Sequence, residues 1–410
     1  MSQSQESEKS ESVNLFSPLS LRGVTLKNRV GLSPMVQTSA KNGMPNEWHL
    51  VHLGSRASAG IGLVMTEATA VSEDGRICPS DLGIWSDAHV QGHTRLAEFI
   101  QRQGSVAGIQ LAHSGRKGNM AHPYDRNGPV TLRWLDESNG GWRVGAPSPI
   151  PFSPDAPTPY TMSEDDIERV MVEYENAAGN AVRAGYQWLE IHAAHGYLPH
   201  CFYSPVSNQR SDSYGGDYAG RTRFVKELVE RLRLKIPDAA VLAVRISYTD
   251  WISGGWELED SVRLARDLKA VGADLIDVSS GGTSPTTVAV MKELLGDSSY
   301  SEHSRDSVIE VYEGYQVEAA CRIREEANVP VAAVGMIQTP SFANSIIADG
   351  KADLLMLGRV LLREPFWLAR AASELGLCER LSLPPQYHLG WKSVGNFNYA
   401  NDCSDNYRDL

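Results

Sequence analysis

Two histidines three residues apart, His192 and His195, followed at once by Gly196 and Tyr197, are the densest concentration of reactive groups in the chain. They close a largely apolar run, Trp188 to Ile191. Positions i and i+3 of a strand face opposite sides, so both imidazoles converge only if the backbone bends there. Gly196 permits such a bend. Converged, the three side chains would put two neutral N–H donors and a phenol at the mouth of a strand. Such a set can grip a carbonyl oxygen and protonate the carbon beside it. Two other readings of the same residues stay open here. One is a pair of core histidines bonded to backbone. The other is half a metal site, although no third ligand lies nearby in sequence and zinc requires three or four; no metal is expected.

These residues need a scaffold, and its elements are legible as strand-length apolar runs alternating with helix-length amphipathic segments. Strands are expected at 30–36, 61–68, 106–113, 188–195, 241–248, 275–280, 329–337 and 352–358. They are apolar along most of their length, as strands buried on both faces of a parallel sheet are. Helices are expected at 47–59, 87–103, 164–184, 219–235, 257–271, 307–327, 341–348 and 361–375. Gly185, Gly272 and Gly376 suit left-handed caps at their ends. Eight such units imply a single-domain (β/α)8 TIM barrel over residues 14–391. The alternative, a doubly wound sheet, would carry Gly-x-Gly-x-x-Gly after its first strand, where Ser33-Pro34-Met35-Val36 stands. A Gly- and Pro-rich connection, residues 114–162, follows the third strand and is expected to cap the carboxyl face. Residues 1–13, rich in Ser, Glu and Gln, read as a disordered tail, and 392–410 as an extension without helix or strand pattern.

A barrel keeps its reactive groups at the strand carboxyl ends. There the chain presents Ser33 to Val36, Ala68, Gln110, the run His113 to Lys117, His192, His195, Tyr197 and Arg245. The last three strands end in Gly281-Gly282, Val334-Gly335 and Gly358-Arg359. Glycines after strands seven and eight with a following arginine match the phosphate corner of this fold, where backbone N–H groups approach closely and Arg359 adds charge-assisted bonds.

With 410 residues, net charge −12 and no basic block, the chain has ample core and little to offer nucleic acid or an anionic membrane. Cys78, Cys201, Cys321, Cys378 and Cys403 are scattered, without metal or disulfide spacing. No apolar stretch approaches the roughly 20 residues of a membrane span. A cytoplasmic protein is the expectation.

The chain resembles the old yellow enzyme family of FMN-dependent ene-reductases and NADPH dehydrogenases, in particular the branch of bacterial xenobiotic reductases and thermophilic-like members. The resemblance runs from about Asn14 to Trp391. It is carried by Ile109-Gln110-Leu111-Ala112-His113-Ser114-Gly115-Arg116-Lys117, Ala146-Pro147-Ser148, His192-Ala193-Ala194-His195-Gly196-Tyr197, Ser204-Pro205-Val206-Ser207-Asn208, and Arg210-Ser211-Asp212-Ser213-Tyr214-Gly215-Gly216. It implies FMN as cofactor and NADPH or NADH as reductant. Ser33, Pro34, Met35, Val36 and Ala68 would line the flavin ring. Gln110 would bond its pyrimidine edge, and Arg245 would lie by N1. Gly282, Val334, Gly335, Gly358 and Arg359 complete the implied flavin set. His192 and His195 would hold the oxygen of an activated alkene, and Tyr197 would protonate it after hydride transfer from flavin N5.

Departures from that pattern are as informative. Val36 stands where this branch usually has a flavin-tuning cysteine, and Thr38 where a substrate-contacting tyrosine is usual. Leu389 replaces an arginine that in many relatives enters a neighbouring subunit's site, and Pro199 and Cys201 replace leucine and glutamine. These changes imply a larger, more apolar pocket and leave open a homodimer or a homotetramer. Other functions the residues allow are a flavin-dependent desaturase or isomerase and a non-catalytic flavin-binding barrel.

Overall fold

The computed structural model describes residues 12–123, 134–285 and 311–399. Two short strands, β1 (Leu19–Leu21) and β2 (Val24–Leu26), form an antiparallel hairpin. Eight parallel strands then close a barrel: β3 (Val30–Leu32), β4 (Leu63–Ala70), β5 (Val106–Ala112), β8 (Trp188–Ala193), β9 (Val241–Ser247), β10 (Leu275–Ser279), β11 (Val331–Ala333) and β12 (Leu354–Leu357). β6 (Gly145–Ala146) and β7 (Tyr160–Thr161) pair within the connection after β5, and β13 (Ser382–Leu383) pairs with β14 (Asn398–Tyr399) near the carboxyl end. The ring is sealed by β12 against β3, with Leu355, Met356 and Leu357 opposite Val30, Gly31 and Leu32. All eight expected barrel strands are present.

Local chemistry explains these elements. The helix Glu164–Arg183 starts on a capping box: Ser163 Oγ accepts from Asp166 N at 3.1 Å and Asp166 Oδ2 accepts from Ser163 N at 2.9 Å. Its buried Ile167, Val170, Met171, Tyr174, Ala178 and Ala181 recur at helical spacing, and Gly185 at φ +96° turns the chain out. Burying each larger apolar side chain stabilises by about 1.5–3 kcal/mol. Two apolar layers result. Helices pack on the outside of the barrel, while Met65, Trp188, Val241 and Met356 fill its amino-terminal interior. Leu19, Val24 and Leu26 of the hairpin belong to that inner layer, so the hairpin plugs the barrel floor.

Differences from the sequence expectation have local causes. The first strand stops at Leu32, two residues before Pro34, which has no N–H for the ladder. β11 stops at Ala333 because Gly335 and Met336 take φ of +116° and +55°. The expected helix 361–375 is two helices, Arg359–Arg363 and Trp367–Glu374, since Pro365 disfavours helical backbone at Glu364. The described part of helix 307–327 spans only Val317–Ala327, after a turn at Gly314 with φ +81°; residues 307–310 lie outside the described residues. The hairpin, the buried helix Leu198–Tyr203 and β14 are elements too short for periodicity to show. β14 and the buried Phe397 tie part of the carboxyl-terminal extension to the domain, which corrects its reading as patternless. The amino-terminal tail lies outside the described residues up to position 11, as do 124–133 of the capping connection and 400–410.

Candidate active site

The strand β8 delivers its chemistry through a left-handed bend. His195 and Gly196 take φ of +60° and +74°, so the backbone reverses just past Ala193. His192 and His195 lie with ring centroids 5.1 Å apart, and His192 and Tyr197 4.8 Å apart. The expected convergence therefore occurs, with the bend shared between Gly196 and His195 itself. A non-glycine residue in this conformation costs about 1–3 kcal/mol.

What holds the bend is a buried polar cluster. Gly196 N–H donates to His200 Nδ1 at 2.8 Å, and His200 Nε2 lies 3.0 Å from Asp250 Oδ1. Asp250, 0 % exposed, also accepts from Ser204 Oγ, Thr283 Oγ1 and Trp256 N. Lys117 Nζ, from the connection after β5, donates to His195 O at 2.7 Å and Gly282 O at 3.1 Å. The same Nζ lies over the rings of Tyr197 and Phe152, at 4.8 and 4.7 Å. The connection thus reaches over the carboxyl face, as its length suggested.

Burial and the positive charge of Arg245 hold both imidazoles well below their ordinary range, so His192 and His195 are neutral. His195 Nε2 is 2.7 Å from Ser279 Oγ, which leaves Nδ1 as its free donor when the serine hydroxyl donates. His192 Nδ1 is buried and unpartnered. Burial pushes the Tyr197 phenol up, keeping it protonated. Burial pulls the Lys117 ammonium down to about 7, against two carbonyls that favour its charged form.

Beside this cluster opens a cavity of about 410 Å³. Ser33, Arg245, Gly335, Gly358 and Arg359 all line it. Val334 also lines it, and Ser279, Tyr315 and Gln316 add walls that sequence reasoning did not find.

A model of the NADH:flavin oxidoreductase / NADH oxidase family matches residues 14–377. The chain belongs to this family. It is 42% identical over 380 residues to an NADPH dehydrogenase of Geobacillus sp. (strain WCH70), covering 92% of this chain and 98% of that protein. To the NADPH dehydrogenase of Bacillus subtilis (strain 168) it is 39% identical over 379 residues, covering 92% and 99%. Morphinone reductase superposes with a TM-score of 0.69 at 24% identity, over 90% of this chain and 91% of that one. The old yellow enzyme resemblance is thereby established, and the chain is an oxidoreductase using FMN and NAD(P)H.

The cavity fits that cofactor. Arg245 Nε and Gln316 Oε1 are buried there without partners, groups that a heteroaromatic ring and a polyhydroxyl chain would satisfy. Gln110 gives its Nε2 to Glu190 Oε1 at 2.7 Å, leaving its carbonyl to accept. Met35 approaches Gly358: its Sδ is 3.5 Å from where a Cβ on that glycine would sit. Ala68 lies beside a bulge in β4 and, with Tyr197 and Asp81, lines a smaller hollow. Pro34 and Val36 are partly exposed just past β3. Gly282 departs from expectation: it does not line the 410 Å³ cavity but packs on the bend, where a Cβ would sit 2.5 Å from His195 Cα. Thr38 is buried at φ +47° with its Oγ1 unpartnered, and Leu389 is 87 % exposed.

One cluster elsewhere, Asp74, His113 and Glu173, brings potential metal-ligand atoms within 4.8 Å. His113 Nδ1 accepts from Gly115 N–H at 3.1 Å, so the neutral ring carries its proton on Nε2. Arg169 already pairs with both carboxylates, at 3.3 and 2.6 Å. Among the described residues, no helix is long and apolar enough to cross a membrane.

Proposed function

We propose that this enzyme reduces the C=C bond of α,β-unsaturated carbonyl or nitro compounds. The observation that carries the reading is the convergence of His192, His195 and Tyr197 on one bend beside the cavity. Bound FMN, reduced by NAD(P)H, supplies the hydride. Arg245 and Gln110 hold the flavin ring, with Ser33, Pro34, Met35, Val36 and Ala68 around it; Val334, Gly335, Gly358 and Arg359 hold its phosphate end. The neutral imidazoles donate to the substrate oxygen, drawing electron density from the alkene. Neutral donors suit this role because they do not protonate the developing enolate oxygen outright. Tyr197 gives its proton to the α-carbon, and burial keeps that proton in place until a strongly basic carbanion forms. Lys117 fixes the bend and the phenol's face. Thr38, in place of a bulkier aromatic, leaves room for a larger alkene. The net charge of −12 supports a cytoplasmic small-molecule enzyme.

A desaturase or isomerase direction is the second reading, favoured by Val36, which offers the flavin neither thiol nor hydrogen bond. Tyr197→Phe tests the first. Enone turnover should fall by about 10²–10⁴-fold, the scale of general acid catalysis, while hydride transfer to nitroalkenes persists because nitronates are released and protonated by water. Equal, modest losses on both substrates would remove Tyr197 from the chemistry.

A further inference from the structure

Beneath the proposed flavin ring the barrel interior carries more acid than its reaction needs. Glu190 on β8 and Asp277 on β10 both point inward and are 1 % and 0 % exposed. Gln110 and Glu190 are register partners across β5 and β8, and Arg245 and Asp277 across β9 and β10. Gln110 Nε2 donates to Glu190 Oε1 at 2.7 Å. Asp277 has no hydrogen-bond partner on either oxygen; its support is Arg245, whose Nη1 lies 3.5 Å from Oδ2. The same Nη1 donates to Ser33 Oγ at 2.9 Å, on the cavity side. Two carboxyls therefore share one guanidinium that also faces the cofactor. Among the described residues, Arg245 and Glu190 are the charged or titratable groups acting on Asp277, with His192, His195 and Tyr315 beyond Arg245.

A buried carboxylate with no hydrogen bond is held ionised by its ion pair alone, and breaking such a pair is costly. With Glu190 protonated, Arg245 and Asp277 form a neutral pair. Negative charge arriving on the cavity face of Arg245 leaves the group one charge out of balance in a low-dielectric interior. We propose that Asp277 is a redox-linked proton acceptor, taking one proton from solvent when reduction of the flavin places negative charge against Arg245. The balance is two electrons and one proton to the flavin from the NAD(P)H hydride, plus one solvent proton to the Asp277 carboxylate, which becomes a carboxylic acid. Burial supports this by pushing Asp277 above the usual carboxylate range against the pull of Arg245, and by lifting Glu190, beside Asp277, to about 8.

The proposal rests on Arg245 facing the flavin, and the experiment separates the two. Spectroelectrochemical titration of the holoenzyme across the neutral pH range should show two protons taken up per two electrons, and Asp277→Asn one. The midpoint potential of wild type then moves twice as far per pH unit as that of the variant. Reduced-minus-oxidised infrared difference spectra of wild type provide a measurement independent of folding of the variant: a new protonated-carboxyl stretch must appear on reduction. One proton per two electrons in wild type, or no carboxyl band, overturns the proposal. A band that survives in Asp277→Asn but vanishes in Glu190→Gln also overturns it, by moving the proton to Glu190. Arg245→Gln tests the placement alone: its midpoint potential should fall, and an unchanged potential refutes contact with the ring, whatever the proton count.

Discussion

His200→Leu removes the clamp on the bend at His195 and Gly196 at nearly constant volume. His200 is fully buried, accepts from Gly196 N–H and faces Asp250. Loss of the first leaves a buried backbone donor unpaired, at about 1–3 kcal/mol. Loss of the second removes a hydrogen bond to a charged group, worth about 1.5–3 kcal/mol. Asp250 keeps Ser204, Thr283 and Trp256 as donors, so the low end of that range applies. The sum is about 2.5–4.5 kcal/mol, with the smaller figure favoured because the two bonds share one ring and do not add fully. Urea unfolding of the holoprotein reads the total. Amide exchange reads the local part: the Gly196 amide should exchange about 5- to 150-fold faster, at 1.36 kcal/mol per decade. A destabilisation under about 1 kcal/mol, or unchanged Gly196 exchange, would refute the clamp and leave the bend held by Lys117 and by Ser247, whose Oγ accepts from His195 N–H at 3.0 Å.

Three further outcomes are expected. Arg359→Ala should weaken FMN retention by about 1.5–3 kcal/mol, read by equilibrium dialysis, with the lower figure favoured by the side chain's exposure; unchanged retention places the phosphate elsewhere. Gly282→Ala should cost about 2–5 kcal/mol in thermal stability, combining left-handed strain with overpacking, because its Cβ meets His195 backbone; Gly376→Ala, at φ +68° with open space around it, is the control and should lose only the strain. Asp81, pushed up to about 7 by burial, binds its proton more tightly folded than unfolded. Its contribution is present at low pH and is lost as pH rises from its unfolded value near 3.8 to about 7. The urea midpoint of wild type should therefore fall relative to Asp81→Asn across that window, and parallel curves would contradict the shift.

The barrel was readable from sequence because each of its strands is a continuous apolar run bounded by a helix with recognisable caps. The bend after β8 was readable because a glycine following two histidines leaves few ways to make them meet. What stayed hidden depends on neighbours distant in the chain. Tyr315 and Gln316 enter the cavity only because Gly335 brings the end of β11 against them. The resemblance implies Gly282 in the flavin set, and only the packing of two loops shows that it makes room for His195. His200 and Asp250 carry no motif of their own, since a charge buried in a hydrogen-bonded cluster is defined by partners about fifty residues away. The floor hairpin was missed for a simpler reason, its strands being three residues each.

The seam between β12 and β3 joins the two ends of the chain. Val30 to Leu32 wait for Leu355 to Leu357, and Leu15 N bonds Asn344 Oδ1, so the ring has no closed intermediate during synthesis. Until the last strand leaves the ribosome, β3 and β11 both present bare parallel edges, the geometry most open to pairing with another chain. The apolar floor of the barrel is bare over the same interval, since Met356, part of the layer the hairpin covers, arrives with that strand. A candidate site drawn from β3, β8, β9 and the loops after β11 and β12 is therefore assembled in one late event, and no shorter nascent chain holds the whole lining of the 410 Å³ cavity.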